Sequence, residues 1–187
     1  IYQTVNPALR GRVVPWYAGV DTTYWKPNNK AKNKEVMVYF KNAPKAFLTE
    51  VELILKKYGY TIHRVVYGHY SKNHFKKILE KSIFSIFLSI TETQGIALAE
   101  AWSMDVPTLV WDPEIEHYYL RGVKTTSAPY LRKENGMRWK ELRELDILLS
   151  DGNLNLESFS PRVWVLNNMT HKHSAELFLN ICNSVKK

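Results

Sequence analysis

The 187-residue sequence predicts an α/β domain built on a doubly wound parallel sheet, and three observations predict it. Short apolar runs alternate with amphipathic stretches, in the order strand, helix, strand, helix, strand, between Glu35 and Ile90. The third of these runs, IFSIFLSI from Ile83 to Ile90, is apolar nearly throughout, as a strand covered on both faces must be. A polar turn, a glycine and a helix rich in Ala and Leu follow it. That order is Rossmann-like, and it puts ligands at the carboxyl ends of the strands.

Each element has its own signal. Residues 1–20 include the run RVVPWYAGV and are expected to hold an interdomain linker and a first strand; an opening without Met fits a chain that begins in mid-protein. After a turn-rich stretch from Pro27 to Lys34, EVMVYF is expected as a buried strand. In FLTEVELILKKYG, Phe47, Val51, Ile54, Leu55 and Tyr58 recur at helical spacing, and Gly59 stops the helix. YTIHRVVYG gives a second strand, NHFKKILEKS a short helix, Thr93 to Met104 a further helix, and PTLVWDP a strand closed by Pro113. Beyond Glu114 the pattern weakens. KTTSAPYL is expected as a short edge strand, MRWKELRELDILLS as a helix, and the stretch from Ser160 as one long or two short helices with Ser160 as cap and Pro161 in the first turn. No repeat or low-complexity tract divides the chain, so residues 1–187 are taken as a single domain.

Composition bounds the function. Lys and Arg total 26 against 18 Asp and Glu, a formal charge of +8 that favours anionic partners: nucleotides, phospholipid headgroups or nucleic acid. One cysteine, Cys182, excludes an internal disulfide framework and a Cys-based zinc cluster, and it fits a reducing compartment. No run reaches the roughly 20 apolar residues of a spanning helix, and no signal core opens the chain. The cytosol is therefore the expected location, with association to the cytosolic face of a membrane left open by the charge.

The segment SITETQGIALAEAWSMDVPTLVW carries the chemistry. Free N–H groups near Thr93, Gln94, Gly95 and Ile96, at the positive end of the helix dipole, would face a phosphate placed beyond the strand end. Gly95 allows close backbone approach. Glu92 and Glu100 do not follow from phosphate binding, because carboxylates repel phosphate; they are acceptors suited to hydroxyl groups, which sugars supply.

These residues also resemble a family. Glu92, seven residues, then Glu100, with Gly95 inside and Ala101 after, resembles the E-x7-E motif of retaining glycosyltransferases of family 4 type, whose fold is GT-B. AGVDTTYWKP from Ala18 resembles the segment that follows the interdomain linker in that family, and EAWSMDVPTLVW resembles its helix, Pro turn and next strand. The likeness covers about Val13 to Pro113. It implies the C-terminal, donor-binding half of a GT-B glycosyltransferase, with Glu92 near the donor sugar, Glu100 on the ribose and the amides of Thr93, Gln94, Gly95 and Ile96 on the diphosphate. Lys41, beyond the first strand, matches one member of a basic pair that neutralises phosphate; Tyr39 and Phe40 stand where the partner Arg is expected, and Lys45 is a candidate to share the task. Tyr67, Gly68 and His69, at the end of the second strand, are candidates for the nucleobase wall.

The resemblance implies a nucleoside-diphosphate sugar as donor, no cofactor and no metal. The acceptor, a glycan or lipid, would be bound through a missing N-terminal domain, against which residues 160–187 are expected to pack. Transfer would retain configuration through an oxocarbenium-like transition state, with the leaving diphosphate helping to deprotonate the acceptor. A role in polysaccharide biosynthesis is in keeping with such an enzyme.

Plainer readings stand beside these. The six histidines show no metal-ligand spacing and read as surface or structural. Trp102, Trp111, Tyr118 and Tyr119 read as packing, and the lysines of 26–34 and of the Lys72 to Lys81 helix as a solvated face. Two other functions remain in play. One is a non-catalytic or epimerase-like sugar-nucleotide module; the other, a basic nucleic-acid-binding domain, has charge but no recognised module, so no nucleic acid is expected.

Overall fold

Apolar alternation in the strands divides the core into two layers, one on each face of a five-stranded sheet. The computed structural model describes residues 8, 13–28, 31–117, 120–150 and 153–185. Its sheet contains β1 (Glu35–Phe40), β2 (Thr61–Val66), β3 (Phe84–Leu88), β4 (Thr108–Trp111) and β7 (Gly136–Trp139), in the order β2-β1-β3-β4-β7. Every pairing is parallel. The helices are α1 (Lys45–Lys57), α2 (Lys72–Leu79), α3 (Ile96–Ser103), α4 (Leu142–Leu149), α5 (Pro161–Asn168) and α6 (His171–Val185).

On β1, Met37 and Tyr39 point to one layer with Phe75, Trp102 and Val165, while Val36 and Val38 point to the other with Val51, Leu55 and Leu145. Helices α2, α3 and α5 cover the first face, and α1 and α4 the second. This is the doubly wound α/β architecture that the alternation predicts. Order reverses between β1 and β3, so the crevice at their carboxyl ends is the topological switch point.

The segment before β1 is bound into the same body. Gly19 allows that: a Cβ there would lie 2.6 Å from His171 Cα, so the AGVD run meets the start of α6 backbone to backbone. Val20 N donates to Met169 O at 2.8 Å, and Asp21 Oδ1 accepts from Thr23 N and Tyr24 N at 3.1 and 2.9 Å. Trp25 is buried, and its carbonyl accepts from Ser103 Oγ at 2.6 Å and from Arg162 Nη1 at 2.9 Å.

Three local expectations change. Helix α3 begins at Ile96 rather than Thr93, because Gly95, at the N-cap position, adopts a left-handed conformation (φ 63°) that a right-handed helix cannot include. KTTSAPYL forms no strand after Lys124; a two-stranded antiparallel ribbon precedes it, β5 (Glu116–His117) with β6 (Leu120–Lys124). The MRWK run is strand β7, not helix, because pairing with β4 buries Trp139 against Phe47, their rings 5.7 Å apart. From Ser160 the chain makes two helices, as expected, with Ser160 at the N-cap position, Pro161 in the first turn and no cap bond from the Ser160 side chain. Tyr118 and Tyr119 lie outside the described residues.

Candidate functional site

Three chain segments meet at the switch point. Each ladder runs one residue past its strand: Lys41 N donates to Leu88 O at 3.1 Å and Tyr67 N to Phe40 O at 2.9 Å. Asn42 Oδ1 then accepts from Ile90 N at 2.8 Å, which joins the loop after β1 to the loop after β3. A third tie comes from beyond β6. Glu92 N donates to Thr126 O at 3.0 Å, and the Ser127 hydroxyl donates to Ser89 O. Asp112, fully buried at the end of β4, anchors this third segment by accepting from the Thr126 hydroxyl at 2.6 Å, Ser127 N at 3.0 Å and Arg138 Nε at 3.1 Å. Polar groups buried this way and fully partnered hold loops in one arrangement.

A cavity of about 410 Å³ opens among these loops. Lys41, Tyr67, Thr93, Gln94, Gly95, Ile96, Glu92 and Glu100 all line it. Residues 51 positions apart meet in the Lys41–Glu92 ion pair, Nζ to Oε1 3.0 Å and to Oε2 2.9 Å, with side chains only 23% and 14% exposed. The Ser89 hydroxyl also donates to Glu92 Oε1 at 3.2 Å. Tyr67, half exposed, stacks on the Lys41 ammonium at 4.8 Å. The Gln94 side chain is engaged with the segment before β1: its Nε2 donates to Trp16 O at 3.0 Å and its Oε1 accepts from Ala18 N at 3.1 Å.

The helix start matches an anion site. The first intrahelical bond runs from Ala99 N to Gly95 O at 3.1 Å, so the amides of Ile96, Ala97 and Leu98 have no acceptor within α3, and all three residues line the cavity. Thr93, Gln94 and Gly95, the turn residues that the sequence points to, line the cavity beside them. A Cβ on Gly95 would approach Leu98 Cδ1 to 3.1 Å.

Glu100 lies deeper. Burial pushes its carboxyl up to about 7, opposed by Lys72 and by a hydrogen bond with the Trp25 side chain. Burial, then the hydrogen bond between the Tyr39 and Tyr70 hydroxyls at 3.5 Å, raises the Tyr39 phenol well above its ordinary value.

Gly68 and His69 do not line this cavity: Gly68 turns the chain away at φ 79°, and both are exposed. Lys45, at the start of α1, is exposed and also stands outside it. Conversely, Trp25, Tyr70 and Lys72 belong to the cavity without having been singled out for it. Lys72 had a usable signal, since the first residue of a crossover helix lies at the carboxyl end of the strand before it. Among the described residues no group of three or more His, Cys, Asp or Glu is placed to hold a metal ion, and no helix is long and apolar enough to cross a membrane.

No protein-family model matches the chain, and no curated protein matches it in sequence. Solved structures do. The chain is similar to TarM, with a TM-score of 0.58 and 14% identity over 90% of this chain, though it spans only 37% of that one. It is also similar to the C-terminal domain of a glycosyl transferase group 1 family protein, LpcC from Francisella tularensis, with a TM-score of 0.54 and 15% identity over 81% of this chain and 99% of that domain. These likenesses, joined to the strand order above, establish the fold: a Rossmann-like α/β domain of the GT-B C-terminal architecture.

Proposed function

We propose that the chain is the donor-binding part of a retaining glycosyltransferase, and that the cavity at the switch point takes a nucleoside-diphosphate sugar. One observation carries this reading: Lys41, Glu92, the start of α3 and Glu100 surround a single cavity of about 410 Å³, in the volume range of small-ligand sites. The α3 amides and Lys41 hold the diphosphate, Glu92 accepts from hydroxyls of the sugar, and Glu100 accepts from the ribose. In the free chain Lys41 and Glu92 satisfy each other. An entering diphosphate draws the ammonium to itself and leaves Glu92, still held by Ser89, with an oxygen for a sugar hydroxyl.

As the glycosidic bond to the phosphate breaks, negative charge grows on the leaving oxygen. The α3 amides, and Lys41 once the diphosphate has drawn it from Glu92, would stabilise that charge, which is where well-placed donors lower a barrier. No nucleophile of this chain is required. The acceptor, glycan or lipid, is bound by a second domain, which meets the apolar surface of Val163, Leu166, Phe178 and Leu179 on α5 and α6.

The test is a titration of the chain with UDP, GDP, ADP and dTDP and their sugars, followed by melting temperature or chemical shift. One base class should raise the melting temperature, and its sugar conjugate should bind more tightly than the bare diphosphate. Glu92→Ala should abolish that preference for the conjugate while leaving the bare diphosphate bound at least as well, because Lys41 is then free. Equal indifference to the whole panel would sink the proposal.

A further inference from the structure

Four charged side chains line the cavity: Lys41, Glu92, Glu100 and Lys72. They form two clusters. In the first, Lys41 is neutralised by Glu92 at 2.9 Å under the ring of Tyr67. The second is built differently. Lys72 opens α2 behind the Ser71 cap, whose hydroxyl oxygen accepts from His74 N at 3.2 Å. Its Nζ stands 4.3 Å from the centre of the Tyr24 ring and 5.5 Å from that of Trp25, and Trp25 is the residue that hydrogen-bonds Glu100.

Stacking fixes an ammonium in place without cancelling its charge, as a carboxylate would. Among the described residues Lys72 is held by rings rather than by an ion pair, and Glu100 and Asp21 respond to its field. Glu100 is a weak counter-charge, since burial keeps part of it protonated near neutral pH. The cavity thus has one spent cation and one available cation, carried on separate elements.

We infer that Lys72 is the second cation of the donor site and binds the phosphate attached to the ribose, while Lys41 binds the phosphate attached to the sugar. The inference rests on the donor reading above. It follows from the two clusters: Lys72 shares its side of the cavity with Glu100, the ribose acceptor, and Lys41 shares its side with Glu92, the sugar acceptor. A lysine that touches the ribose phosphate matters for nucleoside monophosphates as well as diphosphates. One that touches only the sugar phosphate does not.

Nucleoside mono- and diphosphates of the four bases used above are therefore titrated into the 187-residue chain and its variants, with melting temperature checking the fold. Lys72→Met should weaken both the monophosphate and the diphosphate by about tenfold, the usual scale for a lost charge-assisted bond. Lys72→Arg, which keeps charge and stacking, should stay within about threefold of the native chain. Lys41→Met should weaken the diphosphate and leave the monophosphate unchanged. Lys76 also stacks on Tyr24, at 4.7 Å, but does not line the cavity, so Lys76→Met separates loss of the stack from loss of the site charge. If Lys72→Met leaves both affinities within about twofold, or if Lys76→Met weakens them as much, the inference is wrong and the donor reading survives. A native chain that binds none of the nucleotides overturns both.

Discussion

The sheet has a cavity at each end, and the larger is the poorer candidate for the site. At the amino ends of β1 and β2, about 670 Å³ lies among Lys32, Glu35, His63, Lys77 and Lys81; at the carboxyl ends, about 410 Å³ lies among Lys41, Lys72, Glu92 and Glu100. Cations are at least as plentiful at the amino end. What differs is helix polarity. The carboxyl end receives the starts of α2 and α3, with the positive ends of their dipoles and, in α3, the unbonded amides of Ile96, Ala97 and Leu98. The amino end receives the last turn of α2, whose carbonyls favour cations, and there Lys77 and Lys81 are accounted for by that helix end and by Glu35. Volume and lysine count describe both cavities, whereas only one is lined by the unbonded amides of a helix start.

The largest expected effect tests that polarity directly. Gly95 holds φ at 63°, and a side chain there costs about 1–2 kcal/mol of backbone strain. It would also meet Leu98 Cδ1 beside the amides of α3. Gly95→Val should lower the thermal midpoint by roughly 2–8 °C and weaken nucleotide binding by about 100-fold, ~2.7 kcal/mol. Calorimetric titration beside a melting curve checks both. Nucleotide affinity within about threefold of native would remove the α3 start from the site.

The next effect separates the two ends by pH. Burial raises the Glu100 carboxyl from 4.5 to about 7, so its protonated form is favoured in the folded chain. Its contribution to stability is therefore complete below pH 4.5 and is lost as pH rises through about 7. Denaturation curves should show stability falling across that window, and Glu100→Gln should remove up to ~3 kcal/mol of the fall. Nucleotide binding should run the other way, because the carboxylate is the form that accepts from ribose. Affinity should rise about tenfold between pH 6 and pH 8, as the ionised fraction does, and Glu100→Gln should flatten that rise to whatever the phosphate itself contributes. A native chain whose affinity is flat over the same range would take Glu100 out of ribose binding.

How much of this was legible in the sequence follows the same division. Strands β1 to β4 announce themselves because each is a local apolar run, and their order then places the crevice. Glu92, Gly95 and Glu100 are legible because strand, turn and helix are contiguous. Strand β7 is not, since MRWK becomes a strand only through pairing with β4, about 30 residues away in the chain, and its apolar residues merge with the helical spacing of α4. Lys72 was legible in its place at the start of a crossover helix, but its stacking was not. In α2 it is one of several lysines on a face that reads as solvated, and only tertiary packing brings Tyr24 and Trp25 beneath it. The support from Asp112 and Thr126 was equally invisible, because it joins loops that have no pattern of their own.

The smallest expected effect is the one that guards the comparison. Lys77→Ala with Lys81→Ala removes two charges from the amino-end cavity, a quarter of the formal +8 of the chain, without touching the carboxyl end. If nucleotide affinity came from overall charge, it would fall, and fall most at low salt, where screening is weak. If it comes from amides and from two lysines fixed at one place, it should stay within about twofold at any ionic strength. Stability should drop by only ~0.3–1 kcal/mol, as the helix end loses its cations. Titration at two salt concentrations decides between them. Lys72→Met removes half as much charge and is expected to do far more, so the pair of variants weighs position against quantity. A tenfold loss in the double variant would mean that the two ends act as one field, and the distinction drawn between them would have to be abandoned.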